Sequence, residues 1–295
     1  MHPALTLSIG FLGAGRVGTA LAWGLARKGF RITGIASRSQ AGAQKLASAI
    51  TDCKVHASAQ ALADGSDLVF VTVPDDAIAE ACARIRWRET QSVVHCSGAT
   101  DLAALGPAAA SGAQVGGFHP LQMFTEPETA LRGLPGCAVA IEAPPPLFDA
   151  LAEMARALEC HTLRLPPGTR VLYHAGAGYV AAFVNALVKE ALGIWGPLGL
   201  SEPEALRALL PLLRGTADSI ERLGPARGMA GPASRGDLGT VERHLAALAA
   251  LDIESLDLYR MLALRTVALA VERGSLSAER AAELRELLVG KMGSE

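Results

Sequence analysis

The chain has 295 residues, a formal net charge of −2, and 50% hydrophobic but only 4% aromatic side chains. At roughly 150 residues per domain this length fits two domains, and the apolar share excludes a disordered or fibrous chain. Without a basic excess there is little to neutralise a phosphate backbone, so nucleic acid is not an expected partner. The apolar mass is Ala, Leu, Val and Ile, which suits close-packed helices and buried strands rather than aromatic clusters.

In chain order, strand and helix signals alternate through the first half. Residues 5–12 read as an apolar strand and 16–28 as a helix stopped by Gly29, followed by a strand at 31–36 and a helix at 41–50. Further strands are expected at 68–73, 92–96, 115–118 and 138–141. Three prolines, Pro144-Pro145-Pro146, then precede a helix at 147–158 and a last strand at 161–165. Such alternation with continuously apolar strands predicts an α/β Rossmann domain, a doubly wound and mostly parallel sheet. Beyond Pro166 only Ala/Leu-rich helical patterns follow, at 170–198, 202–223, 239–250, 255–273 and 277–289. The expected domains are therefore 1–165, α/β, and 166–295, all-α.

A mean hydropathy of +0.29 raises the membrane question. No run reaches ~18 uninterrupted apolar residues, and the best candidate, 179–188, carries Asn185 and ends at Lys189. The N-terminus lacks the basic region of a secretory signal. A cytoplasmic chain whose surplus apolar surface is buried between subunits accounts for the composition. Cys53, Cys82, Cys96, Cys137 and Cys160 are odd in number and contain no C-x-x-C pair. They read as small buried hydrophobes in a reducing compartment, and no metal site is expected.

Gly13-Ala14-Gly15-Arg16-Val17-Gly18 is a G-x-G-x-x-G motif between a strand and a helix, the context in which it signals dinucleotide binding. Gly13 allows the tight turn, Gly15 lets the backbone approach a pyrophosphate, and Gly18 allows close helix–strand packing. An NAD site calls for an acid at the end of the second strand. Here that position reads Ser37-Arg38-Ser39, with no acid from 33 to 43. Arg38 can pair with a 2′-phosphate, so NADP(H) is the expected cofactor. Val73-Pro74 and Ser97-Gly98 are expected to line the crevice, while Asp75 or Asp76 reads as a helix cap.

Three segments carry candidate chemistry. His119, with Gln122 close behind it, follows paired glycines at a late strand end, where an imidazole can exchange a proton with a substrate. His174, Gly178, Ala181 and Asn185 fall on one face if 170–198 is a continuous helix. Ser234, Arg235 and Asp237 lie in a turn-rich stretch, where Asp237 caps the next helix or, with Arg235, meets a polar or anionic substrate.

The segments FHPLQ (118–122), LYHA (172–175) and GPASRGD (231–237), with the glycine motif, resemble a bacterial family of Rossmann-like proteins carrying a C-terminal helical domain of unknown function. The resemblance spans nearly the whole chain and implies that His119, His174, Asn185, Arg235 and Asp237 are cleft residues. More distantly the plan is similar to pyrroline-5-carboxylate reductase, ketopantoate reductase, prephenate dehydrogenase and phosphogluconate dehydrogenase-like proteins. Those relatives imply a substrate between the domains and a homodimer through the helical domain. Hydroxyacid dehydrogenases of that group place a lysine four residues before an asparagine, whereas here Ala181 stands four before Asn185, so their acid–base chemistry does not carry over.

The expected function is an NADP(H)-dependent oxidoreductase acting on a small polar or anionic carbonyl or imine. His119 or His174 would move the proton, Asn185 would orient the substrate or nicotinamide, Arg235 would bind an anionic group, and Asp237 would orient a histidine or bind a hydroxyl. Gln122 and Ser234 complete the expected substrate contacts. The alternatives are an NADP(H) sensor without turnover and a deazaflavin-dependent reductase.

Overall fold

The computed structural model describes residues 3–290 and divides into two compact units, Met1–Tyr179 and Val180–Glu295. The first unit alternates β1 (Ile9–Leu12), α1 (Arg16–Arg27), β2 (Ile32–Ala36), α2 (Gln40–Ser48), β3 (Lys54–Val55), α3 (Ala59–Asp64), β4 (Leu68–Val71) and α4 (Ile78–Ala83). It continues with β5 (Ser92–His95), α5 (Gly106–Ala110), β6 (Gln114–Pro120), α6 (Pro127–Arg132), β7 (Ala138–Glu142), α7 (Leu147–Ala157), β8 (His161–Arg164) and α8 (Arg170–Val180). Among the described residues the strands form one sheet in the order β3-β2-β1-β4-β5-β6-β7-β8. All neighbouring pairs are parallel except β6 and β7. This is the doubly wound Rossmann plan, extended by β7 and β8.

The expected strands are present, with three differences. Pro3–Leu5 form a 3-10 turn, so β1 begins only at Ile9. β3 is two residues long, too short to leave a periodic signal. β7 runs against β6, a direction that strand composition does not encode.

Both sheet faces are covered, which explains the continuously apolar strands. Ile9, Phe11, Leu68 and Phe70 pack with Leu21 and Leu25 of α1 and Leu151 of α7 on one face. Val69, Val71 and Val93 pack with Leu62 of α3, Ile78 and Cys82 of α4 and Ala108 of α5 on the other. The expectation of a core without aromatic clusters is corrected at one point. Phe11 and Phe70 stack with ring centroids 5.0 Å apart, and Phe70 meets Phe118 edge-on at 5.6 Å. Even a small aromatic complement concentrates where neighbouring strands align large side chains on one face.

The second unit contains α9 (Ala182–Ile194), α10 (Glu202–Arg227), α11 (Pro232–Arg235), α12 (Leu238–Leu251), α13 (Ile253–Glu272) and α14 (Ala278–Val289). Its core gathers Val241, Leu245, Leu256, Val267, Ala281 and Leu284. α10 begins with a capping box between Ser201 and Glu204 and kinks at Gly224, whose φ is 76°.

The expected continuous helix from Arg170 is broken at Ala181, where φ is −118° and ψ is −86°. α8 therefore packs with the sheet unit up to Tyr179. By length and a mean hydropathy of 1.5 alone, Arg170–Ile194 passes as a membrane-crossing length. Its first residue, Arg170, is however buried in an ion pair with Glu142.

Candidate functional site

The glycine motif takes the expected form. Gly13 adopts φ 114°, and a Cβ there would stand 2.6 Å from Thr72 O. A Cβ on Gly18 would stand 2.5 Å from Thr72 Oγ1 and 2.6 Å from Gly13 O. That threonine hydroxyl donates to Gly13 O at 2.9 Å, which ties the turn to the end of β4. Gly15 differs, since a Cβ there meets only Thr72 O, at 3.9 Å. It is the N-cap of α1 and offers no capping side chain. The first-turn N–H groups of α1, with the positive end of the helix dipole, are therefore open to an anion. Arg16 extends towards Phe124 O, at 3.4 Å.

A cavity of about 930 Å³ runs along the carboxyl ends of β1, β2 and β4, within the size range of dinucleotide and small-molecule sites. Gly13, Ala14, Gly15, Ser37, Arg38, Ser39, Val73 and Pro74 of the expected cofactor set line it. Ser39 also caps α2 by accepting from Gly42 N at 3.1 Å, and Ser37 Oγ accepts from Ser39 N at 3.3 Å. Arg38 is exposed. His56 and Arg84 share this cavity, and neither stood out in the sequence. The residues present fit an NADP(H)-type dinucleotide, with a backbone cradle for the pyrophosphate and a cation at the end of β2 where an NAD site has an acid.

A second cluster lies beyond β5 and β6. His119, in β6, shares a hydrogen bond between Nδ1 and the Tyr173 hydroxyl at 2.8 Å. The His119 and His174 rings stand edge to face with centroids 5.9 Å apart. A Cβ on Gly98 would fall 2.9 Å from both Cε1 and Nε2 of His119 and would collide with His174 Nδ1. Gly98 is thus the floor on which both histidines meet. Burial, then His174 and Arg170, lower His119 to about 4, while Asp75 pulls the other way. Burial raises the Tyr173 hydroxyl to about 12. At neutral pH the cluster is therefore an uncharged imidazole beside a protonated phenol.

Arg170 carries this cluster from below. Register puts His95 of β5, Gly117 of β6 and Glu142 of β7 in one row, and a Cβ on Gly117 would collide with Arg170 Nη2. Arg170 Nε donates to Glu142 Oε2 at 2.6 Å and Nη1 to Ser97 O at 2.9 Å. His95 is fully buried, and neither ring nitrogen has a hydrogen-bond partner among the described residues. Its burial, and next the Arg170 charge, lower it to about 3. Ser97 is buried too, and its hydroxyl reaches Asp75 Oδ2 at 2.7 Å and accepts from Thr100 N at 3.0 Å. The cap expected of Asp75 is corrected. No side chain caps the turn at Asp75–Ala77, and the Asp75 carboxylate accepts from Ser97 instead.

His119, His174, Ser97 and Gly98 are thus brought together. Gln122, also in this unit, packs over Gly133 and accepts from Met123 N through Oε1 at 3.0 Å. Asn185, Ser234, Arg235 and Asp237 belong to the second unit. The break at Ala181 removes the single helix face expected to align His174 with Asn185. Asn185 is exposed, and its side-chain amide donates to Ala181 O at 3.1 Å. Ser234 is fully buried and donates to Gly231 O at 2.8 Å. Asp237 caps α12 by accepting from Thr240 N at 3.0 Å, and Arg235 is exposed. Tyr173, Arg170, Glu142 and His95 were missed. Their only sequence signal was a polar residue at a strand end or at the start of an apolar helix.

The model of a Rossmann-like domain matches residues 2–120, and that of a domain of unknown function, DUF2520, matches residues 137–266. Among solved structures, the chain is 25% identical to a Bacteroides fragilis protein provisionally called an NADP oxidoreductase, with TM-score 0.69 over 89% of this chain and 98% of that one. A Thermotoga maritima protein is 24% identical with TM-score 0.75, over 90% and 99%. A reductive aminase from Aspergillus terreus, solved with NADPH and ethyl levulinate, shares the fold at 18% identity and TM-score 0.63, over 96% and 93%. No curated protein matches the chain. Together the two matched regions take in most of the polypeptide, and the chain belongs to the proteins that join a Rossmann-like domain to a C-terminal DUF2520 domain.

Proposed function

We propose that this protein is an NADP(H)-dependent oxidoreductase acting on a small polar or anionic carbonyl or imine compound. The observation that carries the reading is the meeting of His119, Tyr173 and His174 at Gly98, on the same sheet edge as a dinucleotide cradle that ends in Arg38. The likeness to the Bacteroides fragilis protein supports it.

The bound nicotinamide supplies the hydride donor or acceptor. The α1 N-terminus and the Gly15 backbone hold the pyrophosphate, and Arg38 pairs with the 2′-phosphate. Tyr173 donates to His119 Nδ1, which leaves the proton of the neutral imidazole on Nε2, towards Gly98. As Nε2 passes its proton to a reacting oxygen or nitrogen, Nδ1 takes the Tyr173 hydroxyl proton in the same step, so the imidazole stays neutral, and Tyr173 is reprotonated from His174 or solvent. Arg170 favours the neutral imidazole, the form that can pass a proton in either direction.

The test pairs thermal shift with isotope transfer. NADPH should stabilise the protein more than NADH, and deuterium from the nicotinamide C4 position should appear in one compound of an oxo-acid and imine panel. Equal stabilisation by NADH overturns the cofactor reading. NADPH binding without transfer to any compound identifies a sensor instead.

The helical half is proposed to pair with a second copy. Leu212, Leu213, Ile220 and Leu223 of α10 are exposed apolar side chains, and a subunit interface removes such surface from water. A monomer by light scattering overturns this part.

A further inference from the structure

Two cysteines that the proposed chemistry does not use lie side by side. Cys137 immediately precedes β7 and Cys160 immediately precedes β8. Ala138 pairs with His161 in the parallel ladder, so the two cysteines face each other one step before it. Gly136 N donates to Glu159 O and His161 N to Cys137 O, both at 2.8 Å, fixing the two backbones on either side. The sulfurs are 3.6 Å apart, against about 2.05 Å in a disulfide.

The pair is also unequal. Cys160 is 8% exposed and its thiol reaches Leu134 O at 3.1 Å, whereas Cys137 is only half-buried. We propose that Cys137 and Cys160 form a redox-active dithiol that closes to a reversible disulfide by exchange with a small-molecule disulfide, Cys137 being the attacking sulfur.

Contact with Cys160 lowers the Cys137 thiol, and the same contact, with burial, raises that of Cys160. The Cys137 thiolate attacks one sulfur of the reagent and expels one small thiolate, leaving a mixed disulfide on Cys137. Cys160 then loses its proton to water, and its thiolate attacks Cys137 Sγ and expels the second small thiolate. The protein loses two protons and two electrons, and the reagent takes up both and leaves as two thiols. Cys53, Cys82 and Cys96 stay out of the exchange because burial raises each of their thiols.

The bond would staple edge strand β8 to β7.

The full-length protein is incubated with oxidised glutathione, then analysed by intact mass and peptide mapping. The expected product has lost two hydrogens, carries one 137–160 crosslink, returns to the dithiol with dithiothreitol, and melts up to ~10 °C higher. In Cys160→Ser, or Cys160→Ala should the serine variant fold poorly, one glutathione should remain on Cys137. The proposal is overturned if both thiols stay free in the wild type, if the crosslink involves another cysteine, or if glutathione persists on wild-type Cys137.

Discussion

Arg170 Nε donates to Glu142 Oε2 at 2.6 Å, and these two side chains, 1% and 8% exposed, anchor α8 to the sheet. One helical turn later the same helix presents Tyr173 and His174 to His119. A structural ion pair and a chemical cluster therefore share one helix, and the first sets the position of the second.

Breaking that pair exposes its role. Glu142→Gln leaves the buried guanidinium without a counter-charge and should cost about 3–5 kcal/mol in urea unfolding. Replacing both partners, Arg170→Met with Glu142→Leu, should recover much of this loss. A double variant no more stable than Glu142→Gln would show that packing, rather than the stranded charge, dominates.

The three glycines of the motif should separate folding from binding. Gly18→Ala must push against Thr72 Oγ1 and Gly13 O, so a loss of about 1–3 kcal/mol of stability is expected. Gly15→Ala has room in the chain but narrows the approach of a pyrophosphate. It should melt like the wild type and lose most of the NADPH-induced thermal shift. A Gly15→Ala protein that binds NADPH normally would contradict the cradle.

Arg38→Ala should weaken NADPH by about tenfold or more, as for a lost charge-assisted hydrogen bond worth ~1.5–3 kcal/mol. NADH affinity should barely change. Calorimetric titration of both nucleotides measures the ratio, and an equal loss for the two would remove Arg38 from the 2′-phosphate.

Acid should destabilise the protein through two histidines. Their folded values, about 4 for His119 and about 3 for His95, lie below the ordinary ~6.5. The unfolded chain therefore takes up these protons first. The stability they contribute is complete above about pH 6.5 and is lost as pH falls from there through 4 towards 3. His95→Leu should flatten the slope of unfolding free energy against pH in that window. An unchanged slope would mean that His95 is not held neutral by the fold.

Tyr173→Phe should leave His119 Nδ1 without its hydroxyl partner, at a cost of about 1 kcal/mol. Nitrogen NMR of the imidazole should then report a shifted tautomer balance. An unaltered spectrum would take Tyr173 out of the proton path.

The dinucleotide cradle was legible because its glycine spacing and helix start are local, although Gly13 and Gly18 also make room for Thr72 at the end of β4. Gly13, Gly15 and Gly18 answer to one turn and one helix start, and Arg38 stands where a single strand ends. The cluster was legible only in part. His119 and His174 were marked one by one, but Tyr173 reaches His119 across a separation of 54 residues, and no local pattern records that. Arg170 was missed because an arginine opening an apolar helix normally faces water, and only the glycine at 117 makes room to bury it.

By itself the sequence determined what short-range physics can impose. That comprises the alternation that makes a covered parallel sheet, the glycine turn, the missing acid after β2 and the Ala/Leu-rich helices of the second half. Tertiary structure alone decided which distant polar groups meet. It broke the helix at Ala181, turned β7 against β6, seated Arg170 on Gly117 between His95 and Glu142, and set Cys137 beside Cys160. The reason is that strand order and direction fix these neighbours, and strand composition is the same whichever neighbour a strand receives.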